Sequence, residues 1–230
     1  MDKFLSGSTF FYVMLTLTAF GIGSIFQKKG KLAIFNPLLI ASAIVIAFLK
    51  IFGIPNDVYQ AGCQILNWLI TPATICLSIS FYEQFQKLKK ELGAICVGVL
   101  AGTVCSLGSV YLLCQAFSLD QALLFSLLPK SVTTAIGSAL SQELGGIVAI
   151  TTAVIVVTGV LGSIFGPALC KLLRLTDPVA QGVAFGTASH VVGTTRALQM
   201  SELAGAVSSF SLTFAGLVTA ILLSILAQFI

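Results

Sequence analysis

The chain has 230 residues, 57% hydrophobic and 9% charged, with a formal net charge of +4 at pH 7. A soluble domain carries about 25% charged residues, so this composition excludes one of any size and describes a polytopic membrane protein. The small positive excess therefore bears on orientation in a bilayer and not on nucleic-acid binding.

Crossing the hydrocarbon core takes about 20 predominantly apolar residues. The first such run, residues 4–26, follows Met1-Asp2-Lys3. It is too long for a signal-peptide core and lacks a small-residue cleavage site, so it is expected to remain as a spanning helix. The second run is 32–49, with Asn36-Pro37 near its start. The third, 58–82, is interrupted by Thr71-Pro72-Ala73-Thr74, which reads as a proline kink or as part of a polar path. Runs 92–117, 144–170 and 203–230 complete six expected spans. Cys63, Cys76, Cys96, Cys105, Cys114 and Cys170 lie in or beside apolar stretches without metal-ligand spacing, and read as small buried apolar residues.

Between the later spans lie two polar segments, 119–142 and 176–201. The first contains Leu128-Pro129-Lys130-Ser131-Val132-Thr133-Thr134. The second contains Ser189-His190-Val191-Val192-Gly193-Thr194-Thr195-Arg196. Each has a titratable residue, a helix breaker and a Thr-Thr pair, followed by an acidic residue and small residues: Glu143 with Gly145-Gly146, and Glu202 with Gly205. Lys130 aligns with His190 and Glu143 with Glu202. Ionisable residues at membrane depth carry a functional hypothesis by default. Paired breaks in corresponding halves point to a transporter site.

Irregular backbone within a bilayer must be buried in protein or line a cavity. Each segment therefore either re-enters as a hairpin or crosses once as a discontinuous helix. The clusters Lys28/Lys29/Lys31 and Lys87/Lys89/Lys90 share one side, taken as cytoplasmic, with the N-terminus outside. Only the re-entrant shape also brings Lys171 and Arg174 to that side. It makes hairpin plus span an inverted repeat; the crossing shape would make the copies parallel. The expected fold is an all-α polytopic membrane protein: six transmembrane helices with two re-entrant or discontinuous segments, in a single integral membrane domain over 1–230. Residues 1–117 form four N-terminal spans, and 118–230 form the two-unit repeat.

Several residues are candidates for a site. Lys130 follows Pro129 and is suited to neutralise an anion; its alternative role is to snorkel to the interface. His190, the only histidine, has a reference pKa of about 6.5 that suits proton coupling, although lone histidines are often structural. Arg196 can clamp a carboxylate or anchor an interface. Ser131, Thr133, Thr134, Ser189, Gly193 and Thr194 offer hydroxyls and backbone groups for a polar cradle, or ordinary interhelical hydrogen bonds. The acidic residues all fall at span or hairpin ends. The expected core is thus cationic, which favours an anionic substrate; a proton can ride on His190 or on the substrate. Gly98/Gly102, Gly162/Gly166 and Gly182/Gly186 permit close helix approach, within the fold or in a homodimer. No nucleotide fingerprint, metal-ligand set or catalytic triad is present, so no enzyme activity and no cofactor are expected.

These residues resemble the LrgB/CidB family of bacterial membrane proteins over most of the chain. The resemblance rests on Leu127-Leu128-Pro129-Lys130-Ser131-Val132-Thr133-Thr134, Leu144-Gly145-Gly146-Ile147, Thr158-Gly159, Gly166-Pro167, Gly182, Gly186-Thr187-Ala188-Ser189-His190, Gly193-Thr194 and Gly205-Ala206-Val207-Ser208-Ser209. Thr71-Pro72-Ala73-Thr74 and Leu88-Lys89-Lys90 fit the N-terminal half. Ala135 stands where the family typically has proline, which softens the first break. Val191-Val192 and Thr195-Arg196 also depart from the pattern, with the charge kept at Arg196.

The resemblance implies a bacterial cytoplasmic-membrane location and two alternative functions. One is a carrier of small monocarboxylates such as pyruvate, glycolate or glycerate. The other is an antiholin-like regulator of murein hydrolase activity and autolysis, acting with a small LrgA/CidA-type membrane partner. A lesion-forming channel is a third reading. The residues favour a proton-coupled carrier working by alternating access, because a lesion does not need two cationic breaks.

Overall fold

The computed structural model describes residues 9–30, 37–69, 72, 75, 76, 89 and 91–228. Thr71, Ala73 and Thr74 of the expected third-span break lie outside the described residues, as do Asn36, Lys31, Lys87 and Lys90. The described residues are helical, and the chain divides into two compact units, 1–76 and 77–230.

In the first unit, α1 (Thr9–Gly30) and α2 (Pro37–Ile51) are followed by the short α3 (Asn56–Gly62) and α4 (Gln64–Trp68). Ala19, Ala41 and Val45 form the buried seam, with Leu15, Ile44 and Leu49 packed against it. Tyr12 is buried beside Tyr59, and Thr16 and Tyr59 share a hydrogen bond of 2.9 Å. The early part of the expected third span is not one helix. Gln60 and Gln64, just after Asp57, make it too polar for a lipid-facing rod, and the chain turns at Cys63 between α3 and α4.

The second unit contains α5 (Leu92–Ala116), α6 (Gln121–Leu127), α7 (Thr134–Glu143), α8 (Val148–Leu172), α9 (Pro178–Met200) and α10 (Glu202–Leu226). At about 1.5 Å per residue, a 25-residue helix such as α5, α8 or α10 is about 37 Å long, enough for a ~30 Å hydrocarbon core. With residues 9–26 of α1 they are the four described helices long and apolar enough to cross; residues 40–51 of α2 form a shorter apolar helix. Their outer faces carry Val97, Val104, Leu112, Val157, Phe165, Leu169, Leu217 and Ile221, all exposed as lipid contact requires. α5, grouped by the sequence with the N-terminal spans, packs against α9 and α10 in the second unit.

Both broken segments are hairpins that leave by the end they enter. In the first, Leu124, Phe125 and Leu140 from the two arms share a core cluster with Val110 and Cys114 near the end of α5 and Leu223 near the end of α10. The returning chain reaches the start of α8 beside the first arm, where the Ile147 amide donates to Ser126 Oγ at 2.7 Å. In the second, α9 is broken at His190, whose φ of 41° and ψ of −139° reverse the chain. A Cβ on Gly193 would lie 2.8 Å from the Phe185 carbonyl, so the returning arm runs against the incoming one. Phe185 and Ala197, one from each arm, cluster with Cys170 at the end of α8 and Ala204 at the start of α10. The two hairpins therefore enter from opposite ends of the bundle, each before a spanning helix, which is an inverted repeat.

The helix ends repeat the same devices. The chain leaves α5 through Ser118 (φ 51°) and α8 through Arg174 (φ 55°). Leu119 and Leu175 then donate back to the Cys114 and Cys170 carbonyls at 2.9 and 2.8 Å. These six-residue closures satisfy carbonyls that the helix end leaves open. Next, Asp120 caps α6 through the Leu123 amide (2.8 Å), and Asp177 caps α9 through the Val179 amide (3.0 Å). Counted from these caps, Thr187 stands ten residues after Asp177 as Lys130 stands ten after Asp120. The incoming arm of α9 is longer than α6, so this count and the motif alignment of Lys130 with His190 give different registers.

Candidate functional site

The first hairpin turns over residues 128–133. Pro129 supplies no amide donor, the Lys130 amide donates to the Leu127 carbonyl (3.1 Å), and helix resumes only at Thr134. The Thr133 side chain caps α7 by accepting from the Ile136 amide at 3.5 Å. Pro129 and Val132 are buried, so the tip is pinned inside the protein. Ala135 does not soften this break, because the chain is non-helical before it.

The pinned tip directs Lys130 towards α5. Its Nζ donates to Ser131 Oγ at 2.9 Å and to Ser106 Oγ at 3.2 Å, and the two serines lie 3.2 Å apart. Among the described residues no carboxylate lies within ion-pairing distance of it. An ammonium half-buried against hydroxyls alone keeps donor capacity for an anion, and burying an unpaired charge is costly.

Lys130 and Ser131 line a cavity of about 800 Å³. One wall is α5, with Ala94, Gly98, Gly102 and Ser106. The other is the incoming arm of α9, with Val183, Ala184, Thr187 and Ala188. Ser106, Ser131 and Thr187 also line a small crevice that continues inward past Thr103, Val132 and Thr219. Gly102 to Ser106 is the middle of α5, so the floor of the cavity sits halfway along a helix of spanning length. Thr103 and Thr187 are both more than nine-tenths buried, and among the described residues their hydroxyls have no hydrogen-bond partner. An unsatisfied buried hydroxyl costs about 1–3 kcal/mol.

The second break is filled by protein. His190 is 4% exposed, and its Nε2 lies 2.8 Å from the Ile155 carbonyl of α8, which fixes that nitrogen as the donor. Gly159 leaves room for the ring; a Cβ there would come within 2.6 Å of Nε2. Ser189 is buried against Gly162 and Gly193. Thr194 is 1% exposed and hydrogen-bonded to the His190 carbonyl (3.0 Å) and to Ser208 of α10 (2.8 Å).

Of the residues singled out by sequence, Lys130 and Ser131 reach the cavity. Thr133 serves as a cap, and Thr134 is exposed on the first turn of α7. Ser189, His190, Gly193 and Thr194 pack the second hairpin. Arg196 does not line the cavity; its guanidinium donates to Gln199 Oε1 at 2.9 Å. Sequence reasoning missed Ser106 and assigned no role to Thr187. The available signal was the spacing from Asp177, visible only once the caps are known.

A model of the LrgB-like family matches residues 16–229. The chain is 36% identical over 224 residues to the antiholin-like protein LrgB of Bacillus subtilis (strain 168), covering 97% of each chain. It is 34% identical over 222 residues to the antiholin-like protein LrgB of Bacillus mycoides (strain KBAB4), covering 96% of each. No solved structure matches. With the family model and near-complete coverage of these relatives in agreement, the chain belongs to the LrgB-like family.

Proposed function

We propose that the chain acts as an antiholin-like membrane protein, the role for which its relatives are named. The observation that carries this is similarity along nearly the whole of both chains. It reverses the order drawn from sequence, which put carriage of a monocarboxylate first. In this reading the chain sits in a bacterial cytoplasmic membrane, with its N-terminus outside and Lys171 and Arg174 inside, and restrains murein hydrolase activity with a small LrgA/CidA-type partner. The test is complementation of a bacterial strain lacking its own LrgB-family gene. Expression of the chain should lower detergent-induced lysis and murein hydrolase activity. Lysis at the rate of the empty-vector strain would rule the role out.

A second reading, carriage of a small carboxylate by alternating access, is supported by an observation of its own. An inverted pair of hairpins flanks a cavity whose floor presents an ammonium without a carboxylate partner among the described residues. In this reading Lys130 and Ser131 recognise the carboxylate. Motion of one hairpin against the other exposes the site to either side. The proton travels on the substrate or on His190. Saturable, competable uptake of labelled pyruvate by proteoliposomes, lost in Lys130→Ala, is the expected result; no uptake by folded protein counts against it. The two readings are compatible, since carbon overflow can govern autolysis.

A further inference from the structure

We infer that Thr187 and Ser106 are binding residues for the small anion held at Lys130, so that the ligand bridges the first hairpin, α5 and the second hairpin. The inference rests on the carrier reading above and assigns the site's second wall.

Thr187 differs from four other helical threonines of this chain and shares its unpaired hydroxyl with Thr103 of α5. Thr16, Thr194, Thr195 and Thr213 each return their hydroxyl to the carbonyl four residues back, at 2.8 to 3.1 Å. Thr187 makes no such bond and no other, although it is 7% exposed. Its methyl group is seated on α5, where a Cβ on Gly102 would come within 2.9 Å of it. The residue lines both the cavity and the inner crevice, and its hydroxyl is itself buried. It also stands ten residues after the Asp177 cap, as Lys130 stands ten after the Asp120 cap. One hairpin thus brings a cation to the cavity, and the other brings a lining residue whose buried hydroxyl has no partner among the described residues. Ser106 sits between them on α5, already joined to Nζ and to Ser131.

A carboxylate has two oxygens and about four lone-pair sites. One oxygen meets Lys130 Nζ and Ser131; the other takes the Thr187 hydroxyl, with Ser106 donating to the first. Glu91 and Asp177 line the same cavity, but lie about 20 Å along α5 from Ser106 and about 15 Å along α9 from Thr187. They therefore do not compete for Nζ.

The experiment is equilibrium binding of radiolabelled pyruvate to the full chain in nanodiscs. The wild type is compared with Lys130→Gln, Ser106→Ala, Thr187→Val, Thr187→Ala and Thr187→Ser, with thermal unfolding as the fold control. Loss of one hydrogen bond to a charged ligand is expected to weaken binding about tenfold in Thr187→Val and Thr187→Ala, and severalfold in Ser106→Ala, while Thr187→Ser stays near wild type. Binding by both hydroxyl-free variants within about twofold of wild type, with Lys130→Gln silent, overturns the role of Thr187 and leaves the carrier reading standing. Absence of saturable binding by folded wild type overturns the carrier reading and this inference together. Two hydroxyl-free variants keep the result decisive if one of them fails to fold.

Discussion

The two hairpins share one architecture and have opposite chemistry. Each follows a left-handed closure at the end of a spanning helix, starts at an aspartate cap and returns to the end it entered. The first has a wide turn, 128–133, that places Lys130 in a cavity. The second reverses at one residue, His190, whose ring is latched to a backbone carbonyl of α8. A titratable residue at a chain break is thus not by itself a ligand site. What decides is whether the surrounding helices leave space beside it. Here α5 leaves space beside Lys130, whereas His190 and Ser189 themselves fill the room left by Gly159 and Gly162 of α8.

The contrast can be broken most severely at the second hairpin. Gly162→Val puts a branched side chain where Ser189 already lies, and overpacking of this kind costs about 1–3 kcal/mol or more. A large drop in unfolding temperature and poor recovery from the membrane are expected; wild-type melting would mean that the arms of α9 are not packed on α8. Lys130→Ala comes next in effect. It should abolish uptake of labelled pyruvate while leaving the unfolding temperature near wild type, and retained uptake would remove Lys130 from any site.

His190→Ala removes the latch to Ile155 and opens a small void. It should destabilise by about 1–3 kcal/mol in thermal or denaturant unfolding. If the imidazole also carries the coupled proton, His190→Gln flattens the pH profile of uptake. An unchanged profile leaves the histidine as a latch alone. The smallest effect belongs to Arg196, outside the cavity and paired with Gln199. Arg196→Gln should change stability by less than about 0.5 kcal/mol and leave pyruvate affinity unaltered, as measured by unfolding and binding; a loss of affinity comparable with Lys130→Gln would bring it back into the site.

The spans and breaks were legible because they depend on local chemistry. The uncharged runs at 92–117, 144–170 and 203–230 became α5, α8 and α10 within a few residues at their ends. Pro129 marked the first break, and the Lys/Arg clusters pointed to re-entrant hairpins. The motif pairing of Lys130 with His190 found the two turns, but not that space is left beside only the first of them. Ser106 was invisible in sequence: it lies within an apolar run and gains meaning only from the tip folded against it. The polar start of the third run, with Gln60 and Gln64 just after Asp57, was readable as two short helices, but the run's overall hydrophobicity outweighed that signal.

The central claim is that the hairpins enter from opposite ends of the bundle. It is tested most directly by labelling single cysteines, introduced into a cysteine-free variant, with a membrane-impermeant maleimide on intact cells. Leu119→Cys and Gln142→Cys flank the first hairpin, and Thr176→Cys and Glu202→Cys flank the second; all four positions are exposed. The account expects both members of one pair to be labelled from outside and both members of the other only after the membrane is opened. A split within either pair would make that segment a crossing helix and contradict the inverted repeat.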